Sequence, residues 1–303
     1  MKVFRKRRRA PLWLKTLRAM RYALETLGVY IIYGFFSLLP VAAASNTGGW
    51  LLSRIGPHMG ASRTALRHLA RALPEKTPQE HDEILRGMWD NLGRVIAEYP
   101  HLRRIAADRV EIVGVERFDL VRGGAGGIFI GGHIGNWEVG GLVARRHGID
   151  VNVIYRKPNN PWIDSLLRHA RGGNDIGHVI KGDKGAREMF TRLRGGEALG
   201  ILMDQKLTEG IAVPFFGHPA LTATAAAQFA LKFNCPLLPI IIERLPDAHF
   251  RVHIAPPLDI TATSDRDADI LRILTQINRQ LEDWIRARPS QWLWLHKRWA
   301  DIN

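Results

Sequence analysis

Cysteine occurs once in the chain, at Cys235, which excludes an intramolecular disulfide framework and a cysteine-rich zinc site. It lies in Phe-Asn-Cys-Pro-Leu-Leu-Pro, between a predicted helix and a predicted strand, and reads as a small buried hydrophobe. No Gly-x-Ser-x-Gly elbow is present to supply a serine nucleophile, and no His-Glu-x-x-His to hold zinc, so neither a metal nor another cofactor is expected. No repeat or low-complexity stretch occurs beyond the N-terminal arm. Acidic residues are scarce, 29 against 43 Lys and Arg, and the formal charge of +14 needs an explanation.

The excess is local. Between Met1 and Arg21 there are nine basic residues (Lys2, Arg5, Lys6, Arg7, Arg8, Arg9, Lys15, Arg18 and Arg21) and no acidic one. Removing those nine charges from +14 leaves +5 over the remaining 282 residues, a mildly basic body. Such an arm meets nucleic acid or anionic lipid, and its neighbour decides which. That neighbour is Leu27–Ala44, eighteen residues without a charge, which as a helix would reach about 27 Å. Gly34 and Pro40 interrupt it, and Glu25 limits it upstream. A signal peptide is disfavoured, because the apolar stretch is long and begins deep in the chain. Arg54, Arg63, Arg67 and Arg71 make the far side basic as well. Insertion from one face of a bilayer therefore fits better than a crossing.

The rest of the chain divides at about residue 110. Before it the signals are helical: Thr77-Pro78-Gln79-Glu80 has capping-box chemistry and opens a helix towards Tyr99. After it, short apolar runs at 127–131, 151–155, 177–180, 199–203, 237–243 and 250–254 read as strands. Between them 136–146, 161–171, 184–193 and 223–233 read as helices. This alternation predicts an α/β fold: a mostly parallel central sheet flanked by helices, with a helical N-terminal membrane-associating region. The expected organisation is a basic arm at 1–22, an apolar helix at 23–45, a helical region at 46–109 and an α/β core at 110–303. Residues 46–303 would form one globular unit.

In parallel sheets chemistry sits at the carboxyl ends of strands. Gly-Gly-Ile-Phe-Ile-Gly-Gly reads as a strand ending in a flexible turn; His133 follows at once, and Asn136 is placed to cap the next helix. On one regular helix, His133 and Glu138 would point about 140° apart. With His133 before the helix and Glu138 in its first turn, the carboxylate can reach back to the imidazole. That pair would be an oriented general base. With no serine elbow, direct attack by a substrate hydroxyl on an acyl donor is expected. Gly131, Gly132 and Gly135 would let backbone N–H groups approach the developing oxyanion. A structural histidine at a helix N-terminus is the plainer alternative.

Gly-His-Ile-Gly-Asn-Trp-Glu resembles the His-x-x-x-x-Glu motif of the bacterial lipid A biosynthesis acyltransferases, the lauroyl/myristoyl transferases, within the wider lysophospholipid acyltransferase group. Three more blocks match in order: Tyr155–Pro161; Met203–Lys206 with Val213–Gly217; and Gln291–Trp299. The likeness runs from about residue 25 to 300. It implies His133 and Glu138 as catalytic residues, with substrate-binding residues at Arg156, Asn136, Asp204, Gln205, Phe215, Phe216 and Gly217. Arg156 would meet a phosphate of the acceptor or of the donor's phosphopantetheine. Phe215 and Phe216 would shape a pocket wall. Trp292, Trp294 and Trp299 read either as an interfacial belt or as helix packing.

The implied reaction moves a fatty acyl chain from acyl carrier protein to a hydroxyl of a lipid A precursor of the Kdo-lipid IVA type. The implied place is the cytoplasmic face of a bacterial inner membrane. Expected partners are acyl carrier protein, a phosphorylated glycolipid acceptor and anionic membrane lipid, with no nucleic acid. Glycerol-phosphate acyltransferases look like His-x-x-x-x-Asp with a Pro-Glu-Gly-Thr-Arg block, which is absent from this sequence. Mannoside acyltransferases share Glu and stay open. A basic lipid- or nucleic-acid-binding protein would depend on Arg5–Arg9 and be indifferent to His133.

Overall fold

The computed structural model describes residues 12–299. Most of the expected basic arm, residues 1–11, lies outside them. In chain order the elements are α1 Leu12–Ser37, α2 Val41–Ile55, α3 Ala61–Ala72, α4 Pro78–Glu98, α5 Leu102–Asp108, β1 Val110–Val113 and β2 Gly127–Gly131. Then follow α6 Val139–Arg146, β3 Val151–Tyr155, α7 Pro161–Ala170, β4 Gly177–Ile180, α8 Asp183–Arg194 and β5 Ala198–Leu202. The last are β6 Ile211–Phe215, β7 His218–Thr222, α9 Ala225–Phe233, β8 Leu237–Arg244, β9 Phe250–Ile254 and α10 Arg266–Ala287.

The apolar run at 27–44 is not one helix. Pro40 has no N–H to donate, so α1 closes before it and α2 begins after it. Among the described residues no helix is long and apolar enough to cross a membrane. Large apolar side chains along α1, among them Leu24, Leu27, Ile31 and Phe35, and Leu38 just past its end, are nevertheless exposed. α2 is held more tightly, because Gly48 and Gly93 let it cross α4 at backbone distance. A Cβ on either would collide with the other's carbonyl oxygen. The capping box at α4 is formed: Thr77 Oγ1 accepts from Glu80 N at 3.3 Å, and Thr77 N donates to Glu80 Oε2 at 2.7 Å.

Seven strands form the main sheet in the order β1-β9-β8-β2-β5-β3-β4, parallel throughout except between β8 and β9. Every residue of β2 is buried, as expected of the centre of a parallel sheet. Ile128 and Ile130 face a core built with α3, α4, α9 and α10, while Phe129 faces a second core built with α5 and α6. Cys235 is buried, and burial pushes its thiol up to about 11. The one register that matters most pairs Gly131 at the end of β2 with Leu202 at the end of β5. Residues two positions beyond each, His133 and Asp204, therefore leave the sheet side by side.

A separate hairpin, β6–β7, turns through Phe216 and Gly217, both at positive φ (50° and 73°), as the twist of a two-residue hairpin loop requires. After α10 the chain returns through the middle of the molecule. Trp292, Trp294 and Trp299 are all buried, which overturns the interfacial-belt reading: these rings are core. Arg298 goes in with them, donating to Leu221 O, Thr222 Oγ1 and Asn278 Oδ1 and lying 4.8 Å from the Phe215 ring centroid. Burial lowers this guanidinium to about 10, outweighing the opposing pull of the Asp204 charge.

Candidate active site

His133 stands just past β2, with its side chain 14% exposed against 1% for Asp204. Its backbone N donates to Asp204 Oδ2 at 2.7 Å, and Nδ1 lies 2.8 Å from Asp204 Oδ1. A carboxylate only accepts, so Nδ1 carries the proton and Nε2 is left as a bare acceptor. Trp292 Nε1 also donates to Asp204 Oδ2, at 2.7 Å. Burial alone would raise the Asp204 carboxyl. The facing His133 and the bonds from His133 and Trp292 outweigh it and hold the group well below the usual carboxylate range. The result is an imidazole fixed in one tautomer by a buried anion.

Glu138 does not supply that anion, contrary to the sequence expectation. Its Oε2 accepts from Arg171 Nε at 2.5 Å, and its Oε1 accepts from Arg171 Nη2 and from Tyr99 OH, each at 2.6 Å. Trp137 Nε1 adds a fourth bond at 3.1 Å. The reason is local geometry. Asn136 Oδ1 accepts from Glu138 N at 3.1 Å, a turn that starts α6 only at Val139 and aims the Glu138 side chain at Arg171, just past α7. Burial would raise the Glu138 carboxyl, but the Arg171 charge and its paired bonds bring it below the ordinary value. Burial likewise drives the Tyr99 hydroxyl far up, helped by the Glu138 charge, so it remains a donor.

The loop between His133 and Glu138 is clamped from behind by the C-terminal segment. Leu293 N donates to His133 O at 3.1 Å, and Gly135 N donates to Gln291 O at 3.0 Å. Beneath it lies Glu98, fully buried, which accepts from Ser45 Oγ, Asn136 Nδ2 and both terminal nitrogens of Arg244. Arg244 Nε in turn donates to Asn91 Oδ1, and Asn91 Nδ2 donates to Gly135 O. Gly135 is at φ +59° with Ile242 O where a side chain would begin, so only glycine fits there. The loop is held from behind by these bonds while the His133 side chain keeps 14% of its surface exposed, the arrangement a general base needs.

A model of the family described as bacterial lipid A biosynthesis acyltransferase matches residues 13–301. The chain belongs to this family. The lipid A biosynthesis lauroyltransferase of Escherichia coli (strain K12) is 26% identical over 299 residues, 92% of each chain. Among solved structures, the 1-acyl-sn-glycerophosphate (LPA) acyltransferase PlsC from Thermotoga maritima aligns over 87% of this chain and 97% of its own. Its TM-score of 0.39 and 12% identity are too loose to carry an argument. The chain is thus an acyltransferase of lipid A biosynthesis.

The other residues of this acyltransferase singled out from sequence are scattered. Gln205 joins His133: its Nε2 is 3.1 Å from His133 Nε2 and 2.8 Å from His296 Nε2. Asn136 is buried and donates to Glu98, so it positions the loop rather than facing a substrate. Phe215 and Phe216 are buried too; Phe215 packs on Trp292 and Trp299, and Gly217 is the exposed tip of the hairpin turn. Arg156 is exposed one residue beyond β3, and no contact draws it to His133.

Sequence reasoning missed Tyr99, Arg171, Trp292 and His296 as members of the site. The last two stood inside a quoted block, yet their roles depend on the chain's return past β2. Among the described residues no group of three or more His, Cys, Asp and Glu could hold a metal ion.

Proposed function

We propose that the enzyme transfers a fatty acyl chain from acyl carrier protein to a hydroxyl of a lipid A precursor of the Kdo-lipid IVA type, with His133 as general base. The observation that carries this reading is the His133–Asp204 contact at 2.8 Å, which leaves Nε2 unprotonated on the side of the ring away from Asp204. The acceptor O–H gives its proton to Nε2 as its oxygen bonds to the thioester carbonyl carbon. The carbonyl electron pair moves onto oxygen. When it returns, the C–S bond breaks and the departing thiolate takes the proton from His133 Nε2. Asp204 steadies the imidazolium throughout. Glu138 acts with it at longer range as a fixed negative charge, kept ionised by Arg171.

Arg156, exposed at the carboxyl end of β3, suits an anionic group of either substrate. The exposed apolar row on α1, beside Arg18 and Arg21, supports seating on the cytoplasmic face of the inner membrane by interfacial insertion. The basic body suits both acidic partners, carrier protein and phosphorylated lipid.

The test is transfer of radiolabelled acyl groups from acyl carrier protein to tetra-acylated precursor in detergent micelles. His133→Ala should lose about 10²-fold or more while its circular dichroism is unchanged. Equal transfer by both proteins would rule out His133 as the base. No transfer by wild type would point to another donor or acceptor.

A further inference from the structure

The reaction needs a donor for the oxyanion, and four of the loop's amides are committed elsewhere. His133 N donates to Asp204 Oδ2, Ile134 N to Gly132 O, Gly135 N to Gln291 O and Glu138 N to Asn136 Oδ1. Trp137 Nε1, the nearest indole to the imidazole, is bound to Glu138. Of the glycines expected to cradle the oxyanion, Gly135 therefore has its N–H already taken.

A side-chain donor lies within reach of the reacting atoms. The Gln205 carboxamide nitrogen lies 3.1 Å from His133 Nε2, the atom that must receive the acceptor's proton. Because His133 Nε2 is bare, the group facing it must be an N–H, which fixes the amide's orientation. Its second proton faces His296 Nε2 at 2.8 Å. His296 therefore accepts there and carries its own proton on Nδ1. Burial and the neighbouring His133 keep His296 neutral, with its pKa lowered to about 4, so it stays an acceptor through the neutral range.

We propose that Gln205 is the oxyanion donor of this enzyme and that His296 is the residue that positions it. The inference rests on the thioester reaction and the His133 base described above. When the acceptor hydroxyl takes the place on Nε2, it displaces one Gln205 proton. That proton is released beside the carbon under attack, where the carbonyl oxygen gathers charge. The other proton stays on His296, so the amide pivots without becoming loose. A donor held by a single neutral acceptor and aimed at the charge that develops is what transition-state stabilisation requires.

The test uses the full-length enzyme, dodecanoyl acyl carrier protein as donor, and the matching dithioester, in which sulfur replaces the carbonyl oxygen and accepts hydrogen bonds poorly. Gln205→Leu should lose about 10²- to 10³-fold in kcat with KM little changed. Replacing oxygen by sulfur should slow the wild type more than Gln205→Leu, because the variant has no donor left to lose. His296→Leu should fall about tenfold. His296→Gln, whose amide oxygen can accept where Nε2 did, should recover most of that loss. Equal sensitivity to sulfur in wild type and Gln205→Leu, or full activity in Gln205→Leu, would overturn the inference. A fully active His133→Ala control would overturn the reaction beneath it.

Discussion

Two buried carboxylates lie close to the catalytic imidazole, and they are used in opposite ways. Asp204 faces His133, a partner that can be neutral or charged, and both of its oxygens serve that imidazole's backbone, ring and indole support. Glu138 faces Arg171, a partner that never loses its charge, in a two-pronged pair sealed by Tyr99. Both groups are held ionised against burial, by different means. The first pair is weighted towards chemistry, since its energy changes when the ring takes a proton. The second is weighted towards architecture, since its energy does not.

Breaking the two pairs should separate those roles. Asp204→Asn keeps the shape but lets the imidazole tautomer go; kcat should fall about 10²- to 10⁴-fold, with a smaller loss of melting temperature than the Glu138 variant shows, measured by steady-state transfer and calorimetry. Glu138→Gln should cut kcat about 10- to 10²-fold through displacement of the loop. It should cost more stability than the Asp204 variant, about 3–5 kcal/mol, because Arg171 is left buried without its counter-charge. A double variant, Glu138→Leu with Arg171→Met, should regain much of that stability in denaturant unfolding. Equal melting of the two single variants would erase the distinction. Trp292→Phe, which removes one bond to Asp204 and keeps the ring, should lower kcat about tenfold.

The smallest expected effects are in the pH dependence of melting. Asp204 and Glu138 titrate below their unfolded values, so their stabilisation is complete above about pH 4.5 and is lost as pH falls through the lower folded values. His296, lowered to about 4, also loses stability towards acid, but earlier. The unfolded chain takes its proton below about pH 6.5 while the folded one resists. His68 and His178, both lowered by burial, share that window. Melting temperature should therefore decline in two stages on acidification. His296→Gln should shrink the first and leave the second intact.

Much of this was legible in the sequence, and the failures have physical causes. Alternating apolar runs located six of the seven strands of the main sheet, because a strand buried on both faces has little choice of composition. Thr77 and Glu80 marked the start of α4 because capping is a local event. The sequence reading passed over β1, which is short, and α10, whose amphipathic pattern lies beyond the last strand. Its larger error was to pair His133 with the carboxylate five residues away. The partner, Asp204, is adjacent only because β5 returns to lie beside β2 after β3 and β4 have been laid down. Strand order is a property of the whole sheet and leaves no mark on the local sequence. The tryptophans were left between two readings for a related reason: a ring cluster looks the same whether it meets lipid or fills a core.

The seam between His133 and Leu293 has a bearing on how the protein is made. The loop holding the imidazole is synthesised before the chain's midpoint, but its rear support, and the indole that steadies Asp204, arrive only with residues 291–293. A nascent chain can close most of its sheet and still lack a finished catalytic centre. Activity thus waits for residues 291–293, and a chain broken off shortly before Gln291 would fold around an unsupported histidine.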